Sequence, residues 1–113
     1  MARLEQYRFG SVLVDGEEQT RDLIVLPGRV VTNWWRKDGH SLVMEDLEDV
    51  LEELPARLVV GMGADSRMRP DPKTIEALRE RGVEVEGLPT DQAIARFLEL
   101  DPKDTAAALH LTC

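Results

Sequence analysis

The stretch "TAAALHLTC", residues 105–113, restricts the possible folds of this chain more than any other segment. Its apolar residues run on without alternating with polar ones, so a strand made of them is covered on both faces. A strand of that kind lies inside a sheet, close to the helices that cover it. The C-terminal strand is therefore expected in the sheet interior, which couples the last residues to the whole fold.

The preceding residues supply the layers. "YRFGSVLVDGEEQTRDLIVL" holds two β-rich runs around Asp15-Gly16, a pair that favours positive φ in a tight turn, and reads as an antiparallel hairpin. "PGRVVTNWW" follows a Pro27-Gly28 turn with β-branched and aromatic residues, and reads as a further strand. In "MEDLEDVLEELP" the period changes: Leu47, Val50, Leu51 and Leu54 recur at helical spacing, acids fill the other face, and Pro55 ends the helix. The acids, with no base among them, read as a solvated face.

"RLVVGMG" is a short apolar run ending at glycines, as in a strand buried on both faces. Asp71-Pro72 offers an N-cap with proline at the first helical position, "KTIEALRER" the helix, and Gly82 its stop. "VEVEGLP" reads as strand, Thr90 or Asp91 as the cap of "QAIARFLEL", and Pro102 follows closely. Strands alternating with helices at this spacing make an α/β domain with crossover connections. The 113 residues hold one core, so a single domain over residues 1–113 is expected.

Composition narrows the function. Twenty-two acids against 14 bases give a net charge of −8, which repels a phosphate backbone, so nucleic acid is not an expected partner. No run approaches the roughly 20 apolar residues of a membrane span. The N-terminal "MARLEQYRFG" lacks the apolar core of a secretory signal, and a cytoplasmic location is expected. The single cysteine, Cys113, permits neither an internal disulfide nor a cysteine-based zinc cage. No cofactor and no metal site is expected.

Taken in order, "YRFGSVLVDG", "NWWRKDGHSL", "EDLEDVLEELPARLVVGMGADSRM", "LRERGVEVEGLPTDQAIARFLEL" and "AAALHLTC" resemble a small α/β family of unknown biochemical function. Its archetype is a hypothetical protein from a methanogen, and its animal relatives include an adipogenesis-associated protein and an assembly factor for mitochondrial NADH dehydrogenase. The resemblance runs from Tyr7 to Cys113 and implies a layered α/β domain. Its mixed central sheet has about five strands. An N-terminal β-hairpin and three helices accompany the sheet, whose final strand is interior and antiparallel to its neighbours. A right-handed βαβ crossover would instead make that strand parallel. The resemblance carries no catalytic residue. Some relatives have a disulfide, which one cysteine cannot form internally.

Three segments carry candidate chemistry. In "GMGADSR" the glycines Gly61 and Gly63, with Met62 and Ala64, follow a strand and precede a helix, where α/β sheets bind ligands. Backbone N–H groups there could meet a small anion, with Arg67 or Arg69 completing the site, or the glycines could serve only a tight turn and close backbone packing. His40, His110 and Cys113 carry no ligand spacing, and His110 in its apolar strand reads as a satisfied core imidazole. In "NWWRKDGHS" a strand would point Trp34 and Trp35 to opposite faces. The outward indole is either covered by Arg36 or Lys37 or offered with Arg36 to a protein partner, and Asn33 and Arg36 could also line a cleft with the Gly61 loop.

The expectation is a non-catalytic binding or assembly module presenting a Trp-Arg surface and the Gly61 loop to a protein or small anionic ligand, with self-association into a homodimer also open. The alternative is a small enzyme or metabolite-binding protein with a cleft between Arg36, His40 and the Gly61–Gly63 loop; no nucleophile-base-acid set supports it.

Overall fold

The computed structural model describes residues 2–113. In chain order its strands and helices are β1 (Leu4–Arg8), β2 (Ser11–Val14), β3 (Glu17–Gln19), β4 (Leu23–Val25), β5 (Val30–Val31), β6 (Ser41–Leu42), a 3-10 helix (Met44–Glu53), β7 (Arg57–Gly61), β8 (Arg69–Pro70), α1 (Pro72–Glu80), β9 (Glu84–Leu88), α2 (Thr90–Glu99) and β10 (Thr105–Leu109).

The central sheet has five strands in the order β5-β4-β10-β7-β9, so the alanine-rich β10 is its middle strand, fully buried. β10 runs parallel to β7 and antiparallel to β4. The expectation of antiparallel neighbours on both sides is thus corrected: it holds toward β4, while the β7 side obeys the crossover rule. The chain leaves β7 through α1 to the edge strand β9, then returns through α2 to the other side of β7. Right-handed crossovers in opposite directions put the two helices on opposite faces.

Side-chain alternation confirms the two layers. Ala107, Leu109, Val59, Leu23 and Val25 face one core with Ala93, Ile94 and Phe97 of α2 and with the small N-terminal sheet. Ala106, Ala108, Leu58, Val60 and Ile24 face the other, with Leu78 of α1 and Leu47 and Val50 of the 3-10 helix. Each fully buried Leu, Val or Ile contributes about 1.5–3 kcal/mol of transfer free energy.

Four local readings differ from expectation. Asp15 and Gly16 do turn a hairpin, at φ 51 and 85, but β1 adds a third strand to that sheet and the "LIV" of β4 joins the central sheet instead. The segment from Asn33 to Trp35 is not strand: β5 stops at Val31, and Asn33 at φ 56 turns the chain out of the ladder. The acidic helix is 3-10 rather than α. Its three-residue repeat stacks Leu47 under Val50 in the buried row and leaves Leu51 and Leu54 half-buried on the adjacent one. Neither Thr90 nor Asp91 caps α2: Pro89 precedes it at the cap position, and the Thr90 hydroxyl is used between strands.

Two sequence signals act as expected. The Asp71 side chain accepts the Lys73 N–H at 2.9 Å and starts α1, and Gly82 ends it at φ 84. No helix among the described residues is long and apolar enough to cross a membrane.

Candidate functional site

Past the turn at Asn33, burial alternates along the chain. Trp34 is 8% exposed, Trp35 is 79% exposed and Arg36 is again buried. The inward indole is anchored at both ends. Its Nε1–H donates to the Asp46 carbonyl at 2.9 Å, and its backbone N–H donates to the Asp22 carbonyl at 2.8 Å. The Asp46 carboxylate accepts the Lys37 N–H at 2.9 Å and the Val43 N–H at 3.0 Å, which ties this segment to the start of the 3-10 helix.

Alternation puts Arg36 on the side of Trp34, two residues back, and away from Trp35. Its Cζ lies over the Trp34 ring, 5.2 Å from the centroid. The expected pairing of the outward indole with Arg36 is therefore corrected, and Trp35 stands without it. Arg36 is held by Asp22: Nη1 donates to Oδ2 in a close ion pair, while Nη2 reaches the Gly39 carbonyl at 3.4 Å.

His110 completes the cluster. It follows β10, and its Nδ1 lies 2.8 Å from Asp22 Oδ2 and 3.0 Å from Arg36 Nη2. A proton on Nδ1 directed at the carboxylate avoids setting two lone pairs face to face. Nε2 lies 3.4 Å from the Thr112 hydroxyl. Asp22 Oδ1 accepts the Leu111 N–H at 2.9 Å. Burial by itself raises the Asp22 pKa, but the bonds from His110, Arg36 and Leu111 outweigh it and hold the carboxyl below its ordinary range. His110 is thus a core imidazole with partners, as its apolar strand implied.

An open cavity of about 470 Å³ adjoins the cluster, lined by Thr20, Arg21, Asp22, Asn33, Trp34, Trp35, Arg36, His110 and Thr112. On the other side of the indoles a groove of about 580 Å³ runs along the 3-10 helix. Asn33, Trp34 and Trp35 border both. His40 is not among these lining residues. It is exposed in the turn after Asp38, and its backbone bonds to the Asp38 carboxylate and to Arg69 N.

The Gly61 loop is packed on the C-terminal segment. Gly61 O accepts the His110 N–H at 3.0 Å, Gly63 N–H donates to Thr90 Oγ1 at 2.8 Å, and Ala64 and Arg67 N–H groups donate to the carbonyls of Thr112 and Cys113. Met62 N–H bonds Leu88 O at 2.8 Å. A Cβ on Gly63 would lie 2.6 Å from the Cys113 carbonyl carbon and oxygen and 2.8 Å from His110 Cδ2. These N–H groups are spent inside the protein, and close backbone packing accounts for the glycines. Ala64 and Arg67 remain exposed at the loop tip. Among the described residues no group of three or more His, Cys, Asp or Glu side chains is arranged to hold a metal ion.

Asp22 and Thr112 were not legible as site residues. A charged residue before "LIV" looks like any turn residue, and a threonine near the terminus carries no motif.

The chain is similar to solved structures over nearly its whole length. A conserved hypothetical protein, PH1505 from Pyrococcus horikoshii OT3, is 30% identical with a TM-score of 0.82, covering 98% of this chain and 99% of that one. A protein named MT938 is 30% identical with a TM-score of 0.78, and both chains are covered completely. A Bordetella pertussis protein described as a Mth938-like domain shares the fold at 18% identity and a TM-score of 0.77, over 97% of this chain and 85% of that one. The model of the family "Protein of unknown function (DUF498/DUF598)" matches residues 4–110. The chain belongs to that family, and its α/β fold with β10 at the centre of a mixed sheet is the Mth938-like fold.

Proposed function

We propose that this protein is a non-catalytic binding or assembly module of the cytoplasm whose contact surface centres on Trp35. One observation carries the reading: this large apolar side chain is 79% exposed, while the residues before and after it, Trp34 and Arg36, are locked into the core. An indole held on a fixed backbone loses little freedom on binding, and tryptophan is among the side chains most favoured at the centre of protein interfaces. Asn33 flanks it in the sequence and lines the same cavity.

Affinity capture from cells with the wild-type chain and with Trp35→Ala tests this. The variant loses its specific partners while its circular dichroism and melting are unchanged; the same partners at the same recovery would refute the reading. Sedimentation of the purified chain separates a foreign partner from a second copy of this one.

A further inference from the structure

The polar groups around the 470 Å³ cavity are out of balance. Asp22 already accepts three bonds, from Arg36 and His110 at Oδ2 and from the Leu111 N–H at Oδ1. The donors are not spent. The Arg36 side chain is 5% exposed, its buried Nε has no partner among the described residues, and Nη2, 3.0 Å from His110 Nδ1, makes only a long 3.4 Å bond to the Gly39 carbonyl. Arg21 stands exposed at the rim. Two arginines against one aspartate leave the charged lining with a positive excess, in a chain whose net charge is −8. The missing element is an acceptor with negative charge.

Two features set its class. Asp22 is part of the wall, so a dianion would meet a carboxylate as well as the guanidinium, whereas a monoanion carries no second charge to desolvate. A planar carboxylate also matches the guanidinium fork. Beside the charged end lie the two indoles, Trp34 as wall and Trp35 with its face open, which suit a flat apolar body.

We propose that this cavity binds a small aromatic monocarboxylate, with the carboxylate between Arg21 and Arg36 and the ring on Trp35. The carboxylate meets Arg36 through Nη2, whose contact to the Gly39 carbonyl is long at 3.4 Å. No protein partner is needed, so this inference stands apart from the reading of the Trp35 surface.

Titration of the isotope-labelled full chain by NMR at constant ionic strength tests it, with benzoate as probe and acetate and inorganic phosphate as comparisons. Benzoate produces saturable shifts at the Arg36, His110 and Thr112 amides and the Trp35 indole N–H. It binds about tenfold tighter than acetate, from burial of the ring. Arg21→Gln, on the exposed rim, weakens it about threefold with the spectrum otherwise preserved. Shifts that do not saturate, phosphate binding more tightly than benzoate, or equal benzoate binding by Arg21→Gln and Trp35→Ala would each overturn the proposal.

Discussion

His110 Nδ1 lies 2.8 Å from Asp22 Oδ2, a contact between residues 88 positions apart that fastens the end of β10 to the start of β4. Arg36 adds a third member, and the Leu111 N–H a third bond, to the same carboxylate. The cluster therefore ties the central strand to the segment that carries Trp35.

Removing the carboxylate leaves a buried guanidinium and a backbone N–H without their acceptor. Asp22→Ala is expected to cost about 3 kcal/mol, the lower end for breaking a buried pair because Asp22 keeps some solvent contact. Asp22→Asn, which retains one acceptor oxygen, costs less. Urea unfolding of both variants checks the order, and equal stabilities for wild type and Asp22→Ala would contradict it.

The pH dependence follows from the same group. The folded Asp22 pKa is lowered, so the unfolded chain takes up this proton first as pH falls. Its contribution is present above the unfolded carboxylate range, near about 4, and is lost as pH drops through the lower folded value. Melting curves from pH 6 downward should show Asp22→Asn losing less stability on acidification than the wild type; parallel curves would remove Asp22 as a source of acid sensitivity.

The two tryptophans should respond oppositely. Trp35→Ala changes stability by no more than about 0.5 kcal/mol, as for other exposed sites, whereas Trp34→Ala costs about 3–5 kcal/mol by emptying a packed site and unstacking Arg36. In single-tryptophan variants made with phenylalanine, acrylamide quenches the fluorescence of Trp35 strongly and that of Trp34 weakly. Similar quenching of both would show that the alternation is wrong.

Gly63→Ala places a methyl group 2.6 Å from the Cys113 carbonyl at a backbone φ of 99, so it is destabilised on two counts, by more than about 1 kcal/mol. Gly28→Ala meets nothing within 4 Å and serves as the control. Thermal unfolding should separate the pair by several degrees, in the direction of the Gly63 variant melting first.

How much of this was readable depended on the range of the interactions. The interior position of β10 followed from its own residues, because unbroken alanines permit nothing but cover on both faces. The α1 boundaries followed from Asp71, Pro72 and Gly82, whose signals are local. The end of β5 did not, because Asn33 left the sheet through a left-handed turn that many polar residues could have avoided. Thr90 misled for a related reason: it has the chemistry of a cap, but Gly63 and His110 claim its hydroxyl from distant parts of the chain. Arg36 was legible as a functional candidate and Asp22 was not, since their pairing exists only after β4 and β5 have come together and brought the Trp34 segment alongside Asp22.

The most direct measurement compares the affinity of a partner captured by the wild-type chain for the wild type, for Trp35→Ala and for Trp34→Phe, each verified as folded. If Trp35 is the centre of the contact surface, Trp35→Ala weakens binding by about 2 kcal/mol or more, roughly thirtyfold, while the core change leaves it nearly unchanged. Equal affinities for the wild type and Trp35→Ala would contradict the account.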